Sequence, residues 1–222
     1  MRKEIQIKGD IIPNDMKWAY DWFEYDSTCP KDVDAVIKTM EPEDELVVSI
    51  NSPGGDVSAG MEIYSILYQK QNVTIEIQGI AGSAAGVISQ AGRVRMSPVS
   101  MIMIHNVSLH GASGDYHDMD RASEMLRNMN ASLANAYAVK SGRDVREIIK
   151  LMDKETWLTA QQALAYGFAD EIIQETASLV NSYAGLRVTP EMVAKAKEEK
   201  KAREERELEK QTLLDSLEFY GI

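Results

Sequence analysis

The chain has 222 residues, 44% of them apolar, a formal net charge of −11 and a single cysteine, Cys29. That length and apolar content suit one globular core with an appendage and exclude a disordered chain, while the acidic balance counts against nucleic acid or an anionic membrane as partner. One cysteine excludes an intrachain disulfide, makes a thiolate metal site unexpected and fits a reducing cytoplasm. In chain order, Met1 to Lys8 alternates charged and apolar residues and lacks the apolar core of a signal peptide. No run approaches the ~18 apolar residues of a membrane span. Glu4 to Ile12 reads as a first strand, followed by the turn Pro13-Asn14-Asp15, a helix bearing Trp18, Trp22 and Phe23, and a second helix over Lys31 to Met40.

Leu46 to Ile50 reads as a short buried strand ending in the turn Asn51-Ser52-Pro53-Gly54-Gly55, and Val57 to Gln69 has helical periodicity. Strand, glycine turn and helix recur from Val73 to Ala91, which predicts an α/β domain whose two glycine turns are neighbours and whose ligands bind beside them. Arg93 to Met96 and Ser100 to His105 follow as strands of the sheet core. Met119, Ala122, Leu126, Met129, Leu133 and Ala136 then recur three or four apart on a long amphipathic helix, a stripe expected to pack rather than to hold a cofactor. A helix from Val145 to Met152, a helix opened by Thr159 and ended by Gly167, and a last strand from Phe168 to Ile173 complete the domain. Glu191 to Lys210 is dense in Lys, Glu, Arg and Ala, the composition of an exposed helix or partly disordered tail.

Ser83 lies in Gly79-Ile80-Ala81-Gly82-Ser83-Ala84-Ala85-Gly86, among small residues only. A sharp strand-to-helix turn would aim its hydroxyl into a cleft with unpaired N–H groups facing the same point. The spacing is not Gly-x-Ser-x-Gly, since Ala81 and Ala85 flank at two positions, so alone the turn reads as a helix cap. Its company alters the weight. Of three histidines, His105 ends an apolar strand, a rigid support for a general base, whereas His110 and His117 are expected in a solvated Gly- and Asp-rich loop. Gly54-Gly55 and Ala84 offer backbone N–H groups for an oxyanion.

As an ordered set, Ile50-Asn51-Ser52-Pro53-Gly54-Gly55, Gly82-Ser83-Ala84-Ala85-Gly86, Met103-Ile104-His105-Asn106, Ser141-Gly142 and Trp157-Leu158-Thr159-Ala160 with Ala165-Tyr166-Gly167 resemble the ClpP endopeptidase family from about Ile5 to Ile173. The resemblance implies a ClpP/crotonase-like spiral of β-β-α units over residues 1–176, a protruding helical handle at about 114–140, and a charged extension at 177–222. It implies Ser83 as nucleophile, His105 as base, Gly55 and Ala84 as oxyanion donors, no metal and no cofactor. The family's aspartate position is held here by Glu155, with Asp153 two residues earlier as the alternative acid. Peptide or protein substrates and a homo-oligomer, as a heptameric ring or stacked rings, are implied as well. The chain enters its first strand almost at once, and Val47, Val48 and Ser49 lack the aromatics on which a Clp ATPase docks. With the charged tail, this is similar to the short phage and prophage ClpP-like proteases that act on capsid or scaffold proteins, which implies an ATP-independent or weakly regulated endopeptidase, with head maturation as its setting. The competing expectations are a ClpP-like assembly subunit with a drifted triad and a crotonase-type acyl-CoA enzyme.

Overall fold

The computed structural model describes residues 1–173 and, in the tail, 195, 197, 198, 200–204 and 206. The chain divides into two units, Met1–Glu175 and Thr176–Ile222. Residues 174–194, 196, 199, 205 and 207–222, most of the expected extension, lie outside the description; 195, 197, 198, 200–204 and 206 are helical, and Lys200 and Glu204 pair across one turn.

In the first unit an eight-stranded sheet runs β2 (Ser27–Thr28), β1 (Arg2–Ile11), β3 (Glu45–Gly55), β4 (Val73–Gly82), β5 (Arg93–Met96), β8 (Glu171–Ile172). Beside the far end of β4, β6 (Met101–Ile104) pairs parallel to it and β7 (Thr156–Thr159) pairs antiparallel to β6. All the other pairings are parallel. The sheet is therefore mixed and mostly parallel, as the repeated strand-turn-helix units predict.

Alternation sorts its two faces, apart from Val47, which is buried on the more polar one. Ile5, Ile7, Val48, Ile50, Ile75, Ile77, Val94 and Met96 point inward and are buried. Onto them pack α2 (Pro30–Ile37), α3 (Val57–Tyr68) and α4 (Ser83–Ser89), with Ile63 and Leu67 of α3 fully enclosed. Each such side chain contributes about 1.5–3 kcal/mol of burial. The opposite face carries Gln6, Ser49, Glu76 and Arg95. On it Arg95 bonds Glu76 at 2.6 Å and lies 3.5 Å from Glu171, which also pairs with Arg93 at 2.8 Å.

The two glycine-bearing segments differ from the expected turns. Ser52 to Gly55 is the extended end of β3, paired to β1 through Asp10↔Gly54 and Ile11↔Gly55, and β4 continues to Gly82. Proline is tolerated inside this strand because the ladder is broken there. Register shifts fall between Lys8 and Asp10 and between Ile50 and Ser52. Ser52, only 1% exposed, ties the break together: its hydroxyl donates to the Gly9 carbonyl at 2.6 Å and accepts the Gly54 N–H at 3.1 Å.

The aromatic helix is short, α1 (Lys17–Trp22), preceded by a 3-10 turn at Asn14–Met16. The amphipathic helix is α5 (Tyr116–Ser141), capped by reciprocal Asp115–Asp118 bonds and stopped by left-handed Gly142; its buried residues are Leu133, Ala134, Ala136 and Tyr137, so 116–132 buries none. His117 is thus on the first turn of α5 rather than in a loop. α6 (Val145–Asp153) and α7 (Ala160–Tyr166) follow, α7 with Thr159 as N-cap and a capping box closed by Gln162. The last strand is shorter than expected, although Ile173 still donates to the Met96 carbonyl.

Because Ile63 is enclosed between α3 and the sheet, Ile63→Ala should lower stability by about 2–5 kcal/mol. The measurement is the urea midpoint, and an unchanged midpoint would refute this packing.

Candidate active site

Ser83 follows directly on β4 and opens α4 with φ of +51°, a left-handed conformation that costs a non-glycine residue about 1–3 kcal/mol. Packing holds it there. A Cβ placed on Gly86 would come 2.7 Å from the Tyr137 hydroxyl and 3.0 Å from the Met103 carbonyl, so α4 can lie this close to β6 and α5 only with small residues at the turn. The half-buried Ser83 therefore presents its hydroxyl to one side, toward β6.

His105 follows the last residue of β6, a strand locked between β4 and β7. Its Nε2 lies 2.7 Å from Ser83 Oγ, a hydrogen bond in which the serine donates when the ring proton is on Nδ1. A nucleophile and a base in direct contact are the minimum requirement for activating a serine. The other two histidines are elsewhere. His110 Nε2 is 3.5 Å from Ser108 Oγ and His117 stacks on Tyr116, with ring centres 3.9 Å apart, and both are exposed.

The end of β3 closes in from the other side. A Cβ on Gly54, φ +105°, would stand 2.6 Å from the Gly82 carbonyl oxygen, 2.7 Å from Ser83 Cβ and 3.0 Å from the Ala84 nitrogen. Gly55, φ +148°, has no room either, since a Cβ would meet the Ile11 carbonyl at 2.2 Å. The two glycines are not equivalent as donors. The Gly54 N–H is spent on Ser52, while Gly55 is exposed and, with Ala84, lines the same cleft as Ser83 and His105.

That cleft has a volume of 630 Å³. Ile12 and Met16 line it together with Met125, Leu126, Met129 and Leu133 of α5, so the stripe read as packing surface also borders the site. Asp10 and Tyr20 line it as well. The Tyr20 hydroxyl donates to Asp10 Oδ2 at 3.0 Å, and this bond, with some burial and the carboxylate charge, raises the phenol above its usual pKa.

The two candidate acids are not brought onto His105. Glu155 is exposed, has φ of +47°, and its carboxylate makes no hydrogen bond or ion pair among the described residues. Asp153 Oδ1 accepts a 2.8 Å hydrogen bond from Asn106 Nδ2, the residue after His105, and Asn106 Oδ1 is buried with no partner among the described residues. A second tie escaped the sequence reading: Asn130 Oδ1 on α5 accepts the Val107 N–H at 2.7 Å. Nothing in a methionine-striped helix marks one asparagine as the partner of a backbone amide 23 residues earlier. No group of three or more His, Cys, Asp or Glu among the described residues could hold a metal ion.

One family model and three relatives bear on this geometry. The family model described as Clp protease matches residues 33–176, more than half of the chain. The ATP-dependent Clp protease proteolytic subunit 2 of Tropheryma whipplei is 32% identical over 145 residues, covering 63% of this chain and 79% of that protein. Subunit 1 of the same enzyme from Protochlamydia amoebophila is 35% identical over 143 residues, 62% of this chain and 69% of that protein. The corresponding subunit 1 of Corynebacterium glutamicum is 30% identical over 156 residues, 67% and 75% respectively.

Gly54→Ala forces the end of β3 away from Ser83. It should slow p-nitrophenyl acetate hydrolysis about a hundredfold, the scale of an ångström misplacement. Hydrolysis at the wild-type rate would contradict the close approach.

Proposed function

The chain belongs to the Clp protease family, and from that premise we propose that it is a serine endopeptidase that cleaves peptide bonds through an acyl-enzyme on Ser83. The observation carrying this reading is the 2.7 Å contact between Ser83 Oγ and His105 Nε2 at the floor of an apolar cleft. His105 takes the serine proton as Oγ attacks the scissile carbonyl, and the N–H groups of Gly55 and Ala84 receive the oxyanion. The protonated imidazole then passes its proton to the leaving amine, and water, activated by the same ring, releases the acyl group. No metal or cofactor enters the scheme.

Glu155 is our choice for the carboxylate that orients His105. Its positive φ places strain at the right point of the chain, and a change there would swing the side chain. Asp153 is the poorer choice because Asn106 already engages it. A second reading has a specific observation behind it. With neither acid on His105, the protein would be a catalytically weak ClpP-like assembly subunit, whose Ser83 and His105 remain in contact without turnover.

The finer expectations belong to the same proposal: a ClpP/crotonase-like spiral in residues 1–176, α5 as the handle, and a charged extension over 177–222. Support for a homo-oligomer, as a heptameric ring or stacked rings, comes from Met119, Met125 and Val139 exposed on α5 and Tyr68 exposed on α3, apolar surface that a second subunit would cover. Independence from a Clp ATPase is supported by the polar-side face of β3, where buried Val47 and half-buried Ser49 offer no aromatic for docking. On this reading the protease acts in the cytoplasm on phage or prophage proteins during head maturation. Among the described residues no helix is long and apolar enough to cross a membrane.

Ser83→Ala should reduce peptide turnover by about 10⁶, measured with a fluorogenic peptide. Undiminished cleavage would refute the nucleophile. Glu155→Gln should cost about 10⁴ in kcat if Glu155 orients the base. A loss under tenfold would instead favour the weak-subunit reading of the third position.

A further inference from the structure

His105 stands where regular support ends. The ladders of β6 stop at Ile104, paired to Thr156 on one side, with Met103 paired to Gly82 on the other. Beyond the turn-forming backbone bonds elsewhere, residues 105–107 take part in no backbone–backbone bond outside regular elements among the described residues. Besides Val107, which packs against the core, two side chains from separate helices hold the chain just past the base. Asp153, the last residue of α6, holds the Asn106 amide at 2.8 Å, and Asn130 of α5 holds the Val107 N–H at 2.7 Å.

Resting on the reading of His105 as general base, we infer that Asn130 and Asp153 are positioning residues that clamp the exit of β6 and keep the imidazole in reach of Ser83. The orientation of the Asn106 amide supports this. Turning it over would aim Oδ1 at the Asp153 carboxylate, so Nδ2 is held outward, and Oδ1 remains buried without a partner among the described residues. An acceptor left unpaired in the interior is tolerated where the opposite bond is needed. The clamp also couples the base to the cleft wall, because Asn130 follows Met129, which lines the cleft, by one residue on the same helix. It gives Asp153 a part distinct from that of a triad acid: it acts on the residue beside the histidine, through an acceptor oxygen that an amide can replace.

The test uses the 222-residue chain and variants of it. Asn130→Ala and Asp153→Ala should each lower kcat toward a fluorogenic peptide by up to about a hundredfold with KM unchanged. Asn130→Asp and Asp153→Asn, which keep the accepting oxygen, should recover most of that loss. A drop of about 10⁴ in Asp153→Asn would show Asp153 to be the orienting carboxylate itself and overturn its role as a clamp. Side-chain ¹H–¹⁵N spectra of the histidines, with His105 assigned through His105→Gln, give a readout that does not need turnover. In Asn130→Ala the His105 signals should shift or broaden while those of His110 and His117 stay in place, and Asn130→Asp should restore them. Unmoved His105 signals in Asn130→Ala overturn the clamp. Cleavage by Ser83→Ala at the wild-type rate would refute the reading of the active site, and the spectra would still decide whether the clamp exists.

Discussion

Everything at the site depends on one contact made without side chains, the approach of the end of β3 to the β4–α4 turn. Gly54 lies so near Gly82, Ser83 and Ala84 that a single methyl group would intrude on all three. The approach sets Ser83 into its left-handed conformation beside His105 and places Gly55 and Ala84 on the same cleft. It is held from behind by Ser52, whose hydroxyl bridges Gly9 and Gly54 and so binds the irregular parts of β1 and β3 together. A buried serine with both hydrogen-bonding capacities satisfied stabilises a broken ladder that would otherwise expose unpaired backbone groups.

His105 is placed by a different principle. β6 carries it by conventional pairing up to Ile104, after which two polar side chains and the packing of Val107 take over. Ser83 is thus fixed by the backbone packing of its turn and His105 by a strand end and side-chain contacts, and the two meet at 2.7 Å. Apolar side chains from α5 and from the turn before α1 also line the cleft, and lower polarity strengthens any donor that faces it.

The fold was legible where local chemistry and tertiary packing agree. The Thr159–Gln162 capping box, Gly142 and Gly167 as helix ends, and the alternating strands at Val73 and Arg93 all stand where periodicity and turn residues put them. It was misread where they conflict. Ser52-Pro53-Gly54-Gly55 carries every local sign of a turn, yet pairing with β1 and β4 on both flanks keeps it extended. Ser83 and His105 were readable because each ends a recognisable strand. The inequality of Gly54 and Gly55 was not, since it depends on where the Ser52 hydroxyl points, nor was Asn130, whose partner is remote in sequence. The carboxylate question is of the same kind. Glu155 and Asp153 are two residues apart, and the left-handed backbone at Glu155 undoes the alternation that an extended segment would give them.

On the proposed reading Ser83 is the activated nucleophile, and a fluorophosphonate, followed by intact-chain mass and mapping of the modified peptide, probes that hydroxyl without needing a substrate. One adduct per chain is expected, on Ser83. An unlabelled chain, or an adduct on any other residue, would rule Ser83 out.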